Sequence, residues 1–362
     1  MKTLRLIVDP QSPNTEASRT AIETAARIVR EGGLVAFPTE TVYGLGANAL
    51  DSESVKKVFE AKERPSWDPL IVHVSDREML SRVLSSGAST LTSSATAIIS
   101  AFWPGPLTLL LLKADDIPEI VTAARPLVGV RMPSHPVARA LIATAGVPIA
   151  APSANRFGRI SPTQASHVLE DLDGRIDAVL DAGEATHGLE STVVDASQEP
   201  VVLYRPGVIS IEKLREACGS AVEWKSEAPG GSSDEAEPAS MPSPGLGIRH
   251  YAPRARLILI GGTAEAQPGA LLQAAKQAAS EQRSIGIMLP REFLPESRLN
   301  LENAVRFDWG DWDDLPLLAH RLFAGLRQLD AAGVDLILCP LPPGEELGVA
   351  IRDRLGKAAR SK

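Results

Sequence analysis

Residues 225–247 read KSEAPGGSSDEAEPASMPSPGLG, and no other stretch constrains the chain as strongly. Thirteen of these 23 residues are Pro, Gly or Ser, and none is aromatic or β-branched. Such a segment buries too little apolar surface to offset the entropy of ordering it, so it reads as an irregular linker. It divides the 362 residues into a longer N-terminal and a shorter C-terminal part, in keeping with domains of roughly 150 residues each. The expected organisation is a catalytic-sized domain over 1–224, a flexible linker over 225–253 and a smaller domain over 254–362.

The N-terminal part alternates helical and extended patterns. Residues 20–31 place Ile22, Ala25, Ala26 and Val29 on one helical face, and Gly32-Gly33 ends that helix. Residues 34–37 form a short apolar strand closed by Pro38, and 52–62 form a helix capped by Asp51 or Ser52. Further strands are expected at 70–74, 108–112, 128–131, 149–150, 178–181, 191–195 and 201–205, with helices at 95–102, 135–144, 164–169 and 211–218. In the C-terminal part, strands at 256–260, 284–288, 304–308 and 334–338 alternate with helices at 268–281, 315–331 and 345–359. That alternation predicts βαβ units and a parallel sheet.

Lys and Arg number 37 against 45 Asp and Glu, a formal net charge of −8. This excludes a generally basic nucleic-acid coat and leaves room for a local basic cleft. Apolar runs such as 107–112 fall far short of the ~20 residues that span a bilayer, so no membrane association is expected. Lys2 and Arg5 are followed by Asp9, Pro10 and Gln11, which gives no signal-peptide core and a cytoplasmic reading. Cys218 and Cys339 make neither a disulfide framework nor a CxxC site, and both read as small core hydrophobes. No Walker-type GxxxxGK loop, HExxH pair or GxSxG elbow occurs, and Gly261-Gly262 does not complete GxGxxG. The six histidines lack metal-ligand spacing, so no protein metal site is expected.

What remains is a set of polar residues at expected strand ends. The string 38–46 follows a strand and holds three hydroxyls, the Glu40 carboxylate and glycines that let backbone approach a ligand. Lys62 and Arg64, two residues apart in a loop, suit phosphate oxygens; they equally suit a helix C-terminus or a solvated charge pair. His73 alone reads more readily as a satisfied core histidine than as a ligand contact. Arg131 and Arg205 close strands, Ser153 and Asn155 follow one, and Ser191 opens one. Ser161 is placed at a helix start, as a cap or as part of an anion site.

Taken together, these strings resemble the threonylcarbamoyl-AMP synthases, whose catalytic domain is YrdC-like. The pieces are PTETVYGLG (38–46), KERPSWDPLIVHV (62–74), WPGPLTL (103–109), VGVRMPSH (128–135), APSAN (151–155), SPT (161–163), STVVD (191–195) and YRPG (204–207). Beyond the linker, GIRHYAP (247–253) and GVAIRDRLGKAA (348–359) are similar to the two-domain members. The resemblance implies an α/β protein: a YrdC-like twisted mixed sheet with helices, plus a smaller Rossmann-like parallel α/β domain. It implies condensation of L-threonine, bicarbonate or CO2, and ATP into threonylcarbamoyl-AMP and pyrophosphate, with Mg²⁺ on the ATP. A separate threonylcarbamoyl-transferase complex then makes t6A at adenosine 37 of tRNA, so tRNA is a partner only indirectly.

Carried over residue by residue, the resemblance implies threonine contacts at Thr41, His73, Arg131, the Ala151 backbone and Ser191. It implies ATP contacts at Arg64, Asp68, Leu127 (through backbone), Ser153, Ser161, Arg205 and Tyr251, and catalytic contributions from Lys62, Arg64, Ser153 and Asn155. Tyr251, just past the linker, is expected either to cover the nucleotide as part of a lid or to pack at the start of the second domain. The sequence departs from the family at Glu63, where Gly is common, at Asp68, where Asn is common, and at Leu127, often a hydroxyl residue. An Asp cannot donate as Asn does and adds repulsion near phosphate. Two rival readings are an RNA-binding module and a carbamoyltransferase that forms carbamoyl-adenylate. The second needs a zinc-binding cysteine pattern that two cysteines cannot supply.

Overall fold

The computed structural model describes residues 2–85, 91–225, 241, 250–293 and 304–360. The expected linker lies outside these residues except for Lys225, Met241 and residues 250–253. The chain forms two compact units. Unit 1 comprises Met1–Phe157, Pro162–Thr186 and Glu190–Gly247; unit 2 comprises Gly158–Ser161, His187–Leu189 and Ile248–Lys362.

In unit 1, the first half of the chain gives β1 (Leu4–Ile7), α1 (Glu16–Arg30), β2 (Val35–Phe37), β3 (Gly44–Asn48), α2 (Ser52–Lys62), β4 (Ile71–His73), α3 (Arg77–Val83) and α4 (Ser93–Phe102). It continues with β5 (Leu107–Leu112), α5 (Glu119–Thr122), β6 (Leu127–Arg131), α6 (Pro136–Ala145), β7 (Ile149–Ala150), α7 (Ala165–Leu172), β8 (Ala178–Asp181), β9 (Thr192–Asp195), β10 (Val201–Arg205), α8 (Ile211–Cys218) and β11 (Val222–Trp224). The eleven strands form one mixed sheet in the order β1-β8-β2-β3-β7-β4-β6-β5-β9-β10-β11.

Helix α1 shows how the sequence builds this layer. Thr15 caps it by accepting from the Ser18 N–H, and Ala21, Ile22, Ala25, Ala26 and Val29 bury one face. Gly146 ends α6 in the left-handed conformation (φ 66°), where an added Cβ would meet nothing within 4 Å; only the backbone favours glycine there.

The string 38–46 is only half loop. Its Gly44-Leu45-Gly46 end is strand, antiparallel to β2 and β7. A Cβ on Gly46 would stand 2.7 Å from Ile149 Cγ2 and 2.8 Å from Phe37 Cε1. The glycine is therefore explained by the Phe37 ring lying across β3, a packing demand that outranks glycine's poor strand propensity.

Unit 2 carries β12 (Arg256–Ile260), α9 (Gln267–Ser280), β13 (Ile285–Pro290), β14 (Val305–Gly310), α10 (Leu315–Ala331), β15 (Leu336–Pro340) and α11 (Leu347–Ala359). Its four strands are all parallel, in the order β12-β15-β13-β14. Cys339 is fully buried in this sheet, whereas Cys218 in unit 1 is half-buried. Among the described residues no helix is long and apolar enough to cross a membrane.

Candidate active site

Four cations expected at the site are taken out of water in unit 1. Lys62, Arg64, Arg131 and Arg205 are 1%, 7%, 4% and 4% exposed. That burial rules out a solvated charge pair for Lys62 and Arg64, because a buried charge is tolerated only with dedicated partners.

Arg131 closes β6 and stands in register with His73 on β4. Its Nη1 donates to Thr41 Oγ1 at 2.8 Å, its Nη2 lies 2.7 Å from Glu40 Oε1, and its Nε donates to the Gly105 carbonyl at 3.3 Å. Burial raises the Glu40 carboxyl, but Arg131 and backbone hydrogen bonds at Glu40 and Ser134 outweigh it and hold its pKa below the ordinary value. The His73 ring stands edge-on to Phe37, with centroids 5.8 Å apart. Burial, reinforced by the Arg131 charge, pushes His73 down to about 3, so its imidazole is neutral at physiological pH.

The other expected residues join this centre through short links. Thr192 N–H donates to the Pro106 carbonyl, next to Gly105. Ser191 Oγ shares a hydrogen bond of 2.8 Å with Thr108 Oγ1 and accepts from Arg205 Nη2 at 3.1 Å. On the other side, Gly44 bridges to Ser153, and Ala151 N–H donates to the Ile71 carbonyl at 2.8 Å.

Lys62 ends α2 and donates through Nζ to the Ser153 carbonyl at 2.5 Å and to the Asn155 carbonyl. Burial, then the neighbouring Arg64 charge, hold its ammonium well below the ordinary lysine range. Ser153 Oγ donates to Asn155 Oδ1. Arg64 Nη2 pairs with Asp68 Oδ1 at 2.9 Å and donates to the Pro69 carbonyl at 2.8 Å, with its guanidinium over the Phe157 ring. The Asp68 charge is thus engaged by Arg64.

Three expected residues remain. Leu127 opens β6 and pairs with Leu112, four residues from Arg131 and so about 13 Å along the strand. Ser161 belongs to unit 2, is fully buried, and does not open α7, which begins at Ala165 with Gln164 as its cap residue. Tyr251 belongs to unit 2 as well, stacked on Phe323 at 5.4 Å and beneath the Arg354 guanidinium at 5.5 Å.

Sequence reasoning gave no role to Thr108 or to the two arginines that hold Glu63. Glu63 caps α2 in the left-handed conformation (φ 55°), which suits the glycine common there. Its carboxylate is held by Arg156 and, at 2.9 Å, by Arg175. No spacing in the sequence signals those two partners. Among the described residues no cluster of three or more His, Cys, Asp or Glu could hold a metal ion.

Fold and buried polar lining together define a YrdC-like domain followed by a second α/β domain. Residues 27–207 match the Sua5/YciO/YrdC family, described as telomere recombination, and residues 209–360 match the threonylcarbamoyl-AMP synthase C-terminal domain. Threonylcarbamoyl-AMP synthase of Pyrococcus abyssi is 40% identical over 93% of this chain and 94% of its own. The Bacillus subtilis enzyme of that name is 40% identical over 99% and 98%. The crystal structure of P. abyssi Sua5 complexed with L-threonine superposes with a TM-score of 0.87 at 38% identity, covering 99% of this chain and 98% of that one. The chain belongs to the threonylcarbamoyl-AMP synthases, nucleotidyltransferase-type enzymes, in their two-domain form.

Proposed function

We propose that this chain condenses L-threonine, bicarbonate or CO2, and ATP into threonylcarbamoyl-AMP and pyrophosphate. It does so in the cytoplasm, supplying a transferase complex that modifies adenosine 37 of tRNA. The observation that carries the reading is the buried Arg131 centre: a guanidinium bonded to Thr41, beside a neutral His73, linked through Gly44 and Ser153 to Lys62. A guanidinium fork suits an amino acid's carboxylate. A neutral imidazole and the hydroxyls of Thr41 and Ser191 suit its hydroxyl and amine. The Ala151 backbone completes the threonine side.

Lys62 and Arg64 take the bicarbonate and phosphate charge, supported by Ser153 and Asn155. Arg64, Asp68, Ser153, Arg205 and the Leu127 backbone are our nucleotide contacts in unit 1; Ser161 and Tyr251 are further candidates. The neutral threonine nitrogen attacks the carbon of CO2, supplied directly or by dehydration of bicarbonate, and loses a proton to solvent as the N–C bond of the carbamate forms. A carbamate oxygen then attacks the α-phosphorus, and the bond to the bridging oxygen breaks to release pyrophosphate. Little covalent work falls to side chains, so catalysis rests on positioning and charge neutralisation. Mg²⁺ enters as part of the ATP substrate, in keeping with an Asp68 already bound to Arg64.

The deciding assay is pyrophosphate release with purified protein and no tRNA. Turnover that needs threonine, bicarbonate and ATP together supports the synthase. RNA binding without turnover would support the binding module, and turnover on carbamoyl phosphate the carbamoyltransferase. Lys62→Ala and Arg64→Ala are each expected to abolish release.

A further inference from the structure

The reaction as proposed gives no task to Glu40, yet Glu40 is the acid that meets Arg131 inside the protein. We propose that Glu40 is a positioning residue that presets the Arg131 guanidinium to receive the α-carboxylate of the amino-acid substrate. This rests on the reading that Arg131 binds that carboxylate.

The loop holding Glu40 is itself fixed. Thr39 Oγ1 donates to the Val42 carbonyl at 2.6 Å and accepts from the Thr41 and Val42 N–H groups at 3.2 and 3.3 Å. Tyr43 N–H donates to the Pro162 carbonyl, and Tyr43 Oη to the Gly183 carbonyl at 2.6 Å. Glu40 and Thr41 therefore reach Arg131 as two adjacent prongs of one closed loop. Thr41 takes an N–H of Nη1 and Gly105 that of Nε, while Glu40 faces Nη2 as an ion pair without hydrogen-bond geometry. A guanidinium has five N–H donors, so each terminal nitrogen keeps an N–H for a fork to a carboxylate.

Glu40 is not a loosely held stand-in for the substrate carboxylate, because the hydrogen-bonded loop that carries it fixes its backbone independently of Arg131. Its side chain is 6% exposed and that of Arg131 4%, so the pair is shielded from solvent screening. It also supplies the counter-charge that lets Arg131 stay buried before substrate arrives.

The test is calorimetric binding of two probes, L-threonine and L-threoninamide, the second lacking the carboxylate. Glu40→Gln is expected to weaken L-threonine binding about tenfold, the scale of one charged hydrogen bond, and to leave L-threoninamide within about twofold. Glu40→Asp keeps the charge but lengthens the pair, with an expected loss of about threefold for L-threonine alone. It decides the matter if Glu40→Gln does not fold. Unchanged or tighter L-threonine binding, or equal weakening for both probes, overturns the proposal. Arg131→Ala is the separate control: if it leaves L-threonine binding intact, the reading of Arg131 itself fails.

Discussion

Gly46→Ala is the sharpest perturbation the packing offers. The new methyl would lie 2.7 Å from Ile149 Cγ2, 2.8 Å from Phe37 Cε1 and 3.3 Å from Phe37 Cδ1. Phe37 and Ile149 are both completely buried, so neither can swing into solvent. Overpacking of this kind costs about 1–3 kcal/mol, and alanine's smaller unfolded-state entropy returns about 0.4–1 kcal/mol. At the midpoints of those ranges a net loss of about 1.3 kcal/mol is expected. Gly44 is the internal control: its nearest neighbours would be 3.4, 3.5 and 3.6 Å away, ordinary contact distances, so Gly44→Ala should be neutral or stabilising. The strain at 46 also has a functional direction. Phe37 stands against His73, so Gly46→Ala should raise the KM for threonine more than that for ATP. Thermal unfolding by circular dichroism and pyrophosphate release at varied threonine measure both effects. The reasoning fails if Gly46→Ala melts like the wild type, or if Gly44→Ala is equally damaging.

Three further outcomes are expected. Asp68→Asn loosens the hold on Arg64 while keeping a hydrogen-bonding side chain, so the KM for ATP should fall, which steady-state kinetics would show. Because His73 is held at about 3 against an ordinary 6.5, the unfolded chain binds the extra proton between those values; its stabilisation is full above pH 6.5 and declines as pH falls toward 3. Between pH 7 and 5 the loss is about 2 kcal/mol, read as the urea-stability difference that His73→Asn removes. At position 63, glycine fits the left-handed backbone and alanine does not, so Glu63→Gly should melt above Glu63→Ala.

The sequence was most legible where local pattern and tertiary demand agree. The strands Ala178–Asp181, Val201–Arg205 and Arg256–Ile260 and the helices Ile211–Cys218 and Leu315–Ala331 fall on their expected bounds, because continuous apolar runs or clear caps delimit them. Strand Gly44–Asn48 was illegible: Gly-Leu-Gly reads as loop until Phe37 is seen lying across it. Strand Leu4–Ile7, with both ends exposed, gives no buried face for a pattern to register. At the site, family strings marked Thr41, Arg131 and Lys62, but the partners that hold them are remote in sequence. Arg131 meets Glu40 across 91 positions, and Arg175 meets Glu63 across 112. Ser161 read as a helix start because Ser-Pro is a common opening, yet the helix begins at Ala165.

The two compact units are not consecutive pieces of chain, and this bears on how the protein can be dissected or recombined. Gly158–Ser161 and His187–Leu189 lie deep within the N-terminal sequence yet cluster with Ile248–Lys362. Arg327 donates to the Ile160 carbonyl, and Gly188 lies so near His320 that a Cβ would sit 2.6 Å from its Cα. A gene cut at codon 224 would therefore not yield an autonomous module; it would leave two short loops without the residues they were shaped to meet. Modularity here is a property of the assembled polypeptide, and shuffling the halves between homologues requires those loops to travel with the C-terminal partner.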